Sequence, residues 1–308
     1  MLAAMMVMLG PVLLMVGASE GTPASAAGAV IFEDGFDGAG LNPGAWTVVT
    51  GGPISPQKSQ AYLLADNVRV EGGLLKIATR RHCVPTGQQP GVWNESRTSC
   101  GANTRYSAGR VQGLFRTPPG AAFEIRISAQ MPTNGSLGTR GALWAKNGQP
   151  YCNSLNPPAK TNLGELDLLE WHPDQPNVGQ STTHMSCSGS LADPEWRRWE
   201  TERDTGHGTF DDNHYYEWIV QREGNWVSYF VRPGGGPEIH IESHVCGVGE
   251  FGFTQSRCDL IMNDPFGLIL QSEVFVAGGY GNHPGPEVNT YLDANWMHID
   301  WVRISYLR

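Results

Sequence analysis

The chain has 308 residues, 40% of them apolar and 17% charged, with 39 glycines and 21 prolines. That is enough for one large domain or two small ones, and Gly and Pro set between short alternating segments point to an all-β sandwich or barrel. The net charge of −9 argues against a nucleic-acid partner, gives no basic stripe for a membrane surface, and leans against a sulfated polysaccharide as substrate.

Met1 to Ala27 reads as a secretory leader, so the protein is expected outside the cell. Leu2 to Val16 is almost wholly apolar, but the run is short for a membrane span and Pro11 interrupts it. Ala24-Ser25-Ala26 offers a small-residue cleavage site. Residues 28–308 are expected to form a single domain, since no linker, repeat or low-complexity tail divides them. Export makes the six cysteines disulfide formers rather than metal ligands. The local set Cys83–Cys100, Cys152–Cys187 and Cys246–Cys258 is preferred. No C-x-x-C or H-E-x-x-H occurs, which argues against a catalytic zinc.

Phe32 and Phe36 are expected in the core. Asn67 to Arg80 reads as a hairpin: Val68 and Val70 alternate, Gly72-Gly73 turns, and Leu75 and Ile77 alternate again. His82 to Gly101 is expected as a surface loop closed by a disulfide, with Trp93 packing it. Asn94-Glu95-Ser96 and Asn134-Gly135-Ser136 are glycosylation sequons. Tyr106 to Met131 holds two more strands. At Phe123 to Ile127, Glu124 and Arg126 face one way, as a solvated salt-bridged surface, and the apolar residues face the other.

Asn162 to Pro173 reads N-L-G-E-L-D-L-L-E-W-H-P. Alternation from Glu165 to Leu168 is a strand signal with acids on one face and leucines on the other. Glu170 lies an odd number of positions from Glu165, so a regular strand would turn it inward. One β-bulge near Leu168–Leu169 brings Glu165, Asp167 and Glu170 onto one face, and bulges often sit beside active sites. Four effective strand positions then separate the outer glutamates by about 13 Å at Cα. Two long side chains leaning together can approach the separation of about 5–5.5 Å used by retaining glycosidases. Alone, the pattern also fits the solvated face of an antiparallel strand.

Ser181 to Met185 alternates as a further strand. Asp193 to Arg203, rich in Trp and charge, is expected as a surface loop or short helical turn. Asn213 to Arg232 is a hairpin turning at Arg222-Glu223-Gly224-Asn225. Pro233 to Pro265 reads as an extended connection carrying a disulfide. Met297 to Tyr306 alternates cleanly.

G-E-L-D-L-L-E-W, from Gly164 to Trp171, resembles the bulged signature of glycoside hydrolase family 16. That form is typical of laminarinase-like endo-β-1,3-glucanases and of several galactan-cleaving relatives. Ordered anchors elsewhere support the resemblance. Ile31 to Trp46 is similar to the family's opening F-x-D-E-F-D-G…W, with Gly35 in place of an acid. Gly138 to Lys146 lies where the family has G-x-W-P-A-x-W; Trp144 matches the second tryptophan, and Thr139 or Arg140 stands near the place of the first. Ser181 to Met185 resembles G-T-x-H. His214 takes the histidine position of F-H-x-Y-x-x-x-W. Pro265 to Gly279 resembles L-I-L-N-x-A-V-G-G, with Gln271 for the asparagine. Met297 to Tyr306 resembles M-x-V-D-Y-V-R-V-Y. The likeness runs from Ile31 to Tyr306.

The resemblance implies a β-jelly-roll sandwich of two antiparallel sheets with a concave substrate cleft. It implies Glu165 as nucleophile, Asp167 as its helper and Glu170 as acid/base. It also implies Trp144 as a sugar platform, His184 as a cleft hydrogen-bonding group near Glu170, and Gln271 as a sugar contact. Trp171 and His172, adjoining Glu170, are further cleft candidates. A structural calcium is implied at Glu33 and Asp300. No organic cofactor is needed, a monomer is expected, and the partner is a polysaccharide, a β-glucan first. A mixed-linkage glucan or a galactan is the alternative substrate. A glucan-binding protein without catalysis is the alternative class, disfavoured because both glutamates are present.

Overall fold

The computed structural model describes residues 27–53, 58–83, 104–133, 137–147, 163–186, 197–204, 209–246, 255–278, 283–285 and 295–307. The strands run β1 (Ala27–Asp34), β2 (Trp46–Val48), β3 (Ala61–Leu63), β4 (Val68–Val70), β5 (Leu75–Cys83) and β6 (Thr104–Ala108). Next come β7 (Arg110–Gly113), β8 (Phe123–Gln130), β9 (Thr139–Asn147), β10 (Leu163–Trp171), β11 (Val178–Ser186) and β12 (Arg197–Asp204). The chain continues through β13 (Tyr216–Glu223), β14 (Trp226–Pro233) and β15 (Ile239–Val245). It closes with a short helix α1 (Gln255–Met262), β16 (Phe266–Val274) and β17 (Asn295–Leu307).

Two sheets form. The larger has the order β15-β14-β13-β8-β17-β5-β6-β3, with β1 added beside β17 and β4 beside β5. The smaller has the order β12-β11-β10-β9-β16-β7-β2. Pairing is antiparallel except between β3 and β6, which run parallel. The architecture is the expected jelly-roll sandwich. Alternation builds the core: Leu143 and Ala145 of β9, Leu166 and Leu169 of β10 and Leu268 and Leu270 of β16 turn inward. They meet Ile125 and Ile127 of β8, Trp218 and Val220 of β13 and Val302 of β17. Phe36 joins this core and Phe32 packs against it.

Both hairpins form as the sequence indicates, β4 with β5 and β13 with β14. Three local expectations change. Residues 197–204 are strand β12, because their backbone completes the ladder of β11 along the whole register from Val178 to Met185. The stretch from Pro233 to Pro265 is not merely extended: it adds β15 to the edge beside β14 and then turns into α1. Glu124 is fully buried rather than solvated, because Arg126 bonds it and also reaches Glu217 and Glu238.

The pair Cys246–Cys258 is a disulfide. Cys100, Cys152 and Cys187 lie outside the described residues, as do Trp93, both sequon asparagines and residues 1–26 of the leader.

Candidate active site

The site is built on β10. On β11, Glu165 lies opposite His184, Asp167 opposite Thr182, and Glu170 opposite Gln180. On β9 the partners of the same three acids are Lys146, Trp144 and Ala142. Five steps along β10 therefore match four on each neighbour. The additional residue falls between Asp167 and Leu169, which is the bulge the acid spacing required. Leu168 is itself buried, and its carbonyl accepts a hydrogen bond from the Ser181 hydroxyl at 3.0 Å. The irregular backbone thus keeps a partner inside the sheet. Further along, Leu169 and Trp171 resume the inward register and Glu170 returns to the face of Glu165 and Asp167.

Close packing fixes where β10 begins. The Asn147 side chain accepts from the Gly164 backbone N–H at 3.0 Å and donates to the Ile261 carbonyl at 3.1 Å. A Cβ on Gly164 would sit 2.1 Å from Asn147 Nδ2, so glycine is required one residue before Glu165.

The acids have different electrostatic surroundings. Glu165 is about one-fifth exposed, with Lys146 Nζ at 3.6 Å and His184 Nε2 at 3.9 Å. Its pKa is pushed up from 4.5 to about 7, by burial first and then by the neighbouring Asp167, while His184 and Lys146 oppose the rise. Asp167 is buried, 3.3 Å from His184 Nε2. Glu170 is held by the Arg140 guanidinium, and the Thr182 hydroxyl donates to it at 3.3 Å. Arg140 also bonds Glu273 of β16 at 2.6 Å. The face therefore carries a carboxyl that can be neutral or ionised near pH 7, a buried second carboxyl, and a third carboxyl under a guanidinium.

No protein-family model matches the chain, and no curated protein matches it. Among solved structures the chain is similar to the laminarinase catalytic domain of Thermotoga petrophila, at 21% identity over 91% of this chain and 98% of that one, with a TM-score of 0.63. It is similar to a non-specific endo-β-1,3(4)-glucanase of family GH16, at 17% identity over 91% and 95%, with a TM-score of 0.65. It is also similar to an endo-acting O-glycanase of the human gut microbiota, at 19% identity over 92% and 93%, with a TM-score of 0.63. The fold is that of the family 16 glycoside hydrolases.

On this family 16 fold the other candidates separate. Trp144 is half-buried beside Asp167, its indole N–H buried without a hydrogen-bond partner among the described residues, and the Arg110 guanidinium carbon lies 5.1 Å from its ring centroid. Gln271 is buried on the neighbouring strand opposite Ala142, and its Oε1 also lacks a partner among the described residues. His184 lies on the acid face but beside Glu165 and Asp167 rather than near Glu170. The reason is direction: β11 runs antiparallel to β10, so Gln180 and Thr182 come to Glu170.

Trp171 is not a cleft residue. Strand alternation sends it into the core, where it is fully buried and its N–H donates to the Pro176 carbonyl at 3.3 Å. His172 is buried just past the strand, stacked on His283. Glu33 bonds the Arg303 guanidinium at 2.6 Å, and Asp300 accepts from the Ser128 hydroxyl at 3.4 Å. Neither belongs to a cluster of potential ligand side chains among the described residues.

Sequence reading missed three site residues: Lys146, Thr182 and Glu273. Each was legible in principle, since Lys146 lies two positions from Trp144, Thr182 two from His184 and Glu273 two from Gln271. Period-2 alternation places each on its neighbour's face.

Proposed function

We propose that the chain is a secreted, monomeric endo-hydrolase of β-glucan that works with retention, a laminarinase-like endo-β-1,3-glucanase first. The observation that carries this reading is the bulge, which brings Glu165, Asp167 and Glu170 to one face of β10. In the retaining reaction Glu165 attacks the anomeric carbon while Glu170 protonates the departing oxygen. Glu170 then takes a proton from the water that opens the covalent glycosyl-enzyme. His184 and Lys146 favour the ionised form of Glu165 that attack requires. For Glu170 to carry the acid proton, Arg140 must give up part of its hold, and Glu273 offers the guanidinium a second carboxylate to keep. Trp144, half-buried beside Asp167, offers an aromatic face to sugar, and Gln271 lies on the adjoining strand β16. No organic cofactor is called for.

The test is reducing-end release by the purified protein on laminarin, mixed-linkage β-glucan, agarose, carrageenan and mucin O-glycans. Products are sized, and the first-formed anomer is read by NMR. Short β-configured oligosaccharides from laminarin are expected. Release only from a galactan or from mucin keeps the mechanism and changes the substrate, a result that the missing tryptophan, with Thr139 or Arg140 near its place, would explain. Binding of laminarin with no release from any substrate would overturn the enzymatic reading.

A further inference from the structure

A second cluster lies past the end of β10. His172 is buried and its Nδ1 has no hydrogen-bond partner among the described residues. Its ring lies face to face with that of His283, centroids 3.6 Å apart and planes 3° apart. Asp174 Oδ2 is 2.9 Å from His283 Nδ1. One donor atom from each of the three side chains lies within 4.8 Å of the others. The ligands are brought together by the fold, since Asp174 and His283 are 109 residues apart in sequence, and no local motif announces them.

We propose that His172, Asp174 and His283 bind a divalent transition-metal ion of the zinc class. Two imidazoles and a carboxylate form a borderline donor set suited to zinc rather than calcium. A tetrahedral ion with bonds of about 2.0–2.1 Å needs in-plane ring lone pairs that converge on it, so one of the parallel rings must turn when the ion enters. His172 is buried at this place. Arg140, the cation that faces it, is already bonded to Glu170 and Glu273. Three protein ligands leave a fourth position for water. The ion would tie the end of β10, two residues beyond Glu170, to residue 283.

The test uses the full secreted chain, washed with chelator, and reads metal rather than glucan release. Zinc is titrated by calorimetry, and cobalt is followed by its visible absorption. We expect one zinc per chain, a rise in Tm on loading, and cobalt bands typical of low coordination. His283→Ala and Asp174→Asn, both at partly exposed positions, should weaken uptake at least tenfold and abolish the rise in Tm. The other cluster of ligand spacing, Glu165, Asp167 and His184, supplies the control: His184→Ala should leave uptake unchanged. No stoichiometric zinc, uptake unaffected by His283→Ala, or uptake lost with His184→Ala would each overturn the proposal. The result stands apart from the glucanase reading, because no substrate is involved.

Discussion

At Glu165 one side chain's surroundings bear on stability and, in the proposed reaction, on rate. Its pKa of about 7 means that the ionised nucleophile declines as pH falls below neutrality. The profile of kcat/KM should therefore show an acidic limb near pH 7. Lys146 favours the carboxylate, so Lys146→Ala should move that limb to higher pH, while a limb that stays in place would exclude Lys146 as its cause. The same shift has a thermodynamic side. A carboxyl whose pKa rises on folding binds its proton more tightly in the folded state. That contribution is complete below about 4.5 and is lost as pH rises through about 7. Glu165→Gln keeps the neutral form at every pH. Urea unfolding at pH 8 should show the variant more stable than the parent by up to about 3 kcal/mol, with no difference near pH 4. Turnover by the same variant should fall by several orders of magnitude with the fold intact. Retained full activity would remove Glu165 from the reaction.

At the scale of the element, the bulge depends on Ser181. Its hydroxyl satisfies the Leu168 carbonyl, and Tyr229 from the opposite sheet secures the same strand through Thr183 and the Thr182 carbonyl. Ser181→Ala leaves a buried carbonyl without that donor and should cost about 1–3 kcal/mol by urea unfolding. It should also lower kcat more than it raises KM, because Glu170 follows directly after the irregular residues and its aim depends on them. Equal unfolding midpoints would show that the bulge holds without the hydroxyl. The bulge was legible because three acids and four apolar residues could not share one regular alternation. β12 was not, because Arg197 to Asp204 carries charge and tryptophan without period 2, and only the free ladder of β11 makes it a strand. His184 was legible as a cleft residue but not as a partner of Glu165, since register follows from pairing and not from the strand's own residues. Trp171 was misread for a simpler reason: adjacency in sequence is opposition in a strand.

At the scale of the whole molecule, α1 joins the two sheets behind the site. Its Ile261 carbonyl receives the Asn147 amide that also fixes Gly164 of β10. Arg222 of β13 bonds the Met262 carbonyl, and Asn225, in the β13–β14 turn, bonds Asp259 at 3.1 Å. The disulfide Cys246–Cys258, both cysteines buried in the common core, closes this arrangement from the β15 side. Its loop spans 12 residues, for which lost freedom of the unfolded chain gives about 3 kcal/mol. Replacing both cysteines with alanine should lower Tm by roughly 5–10 °C in scanning calorimetry. The effect should also reach the site. With α1 less firmly held, Asn147 no longer fixes the start of β10, and Glu165 follows Gly164 directly. We therefore expect kcat at 25 °C, well below the transition, to fall several-fold, while laminarin binding, which we propose to rest on Trp144 and Gln271 across β9 and β16, changes little. A lower Tm with unchanged kcat would confine the disulfide to stability and separate α1 from the aim of the nucleophile.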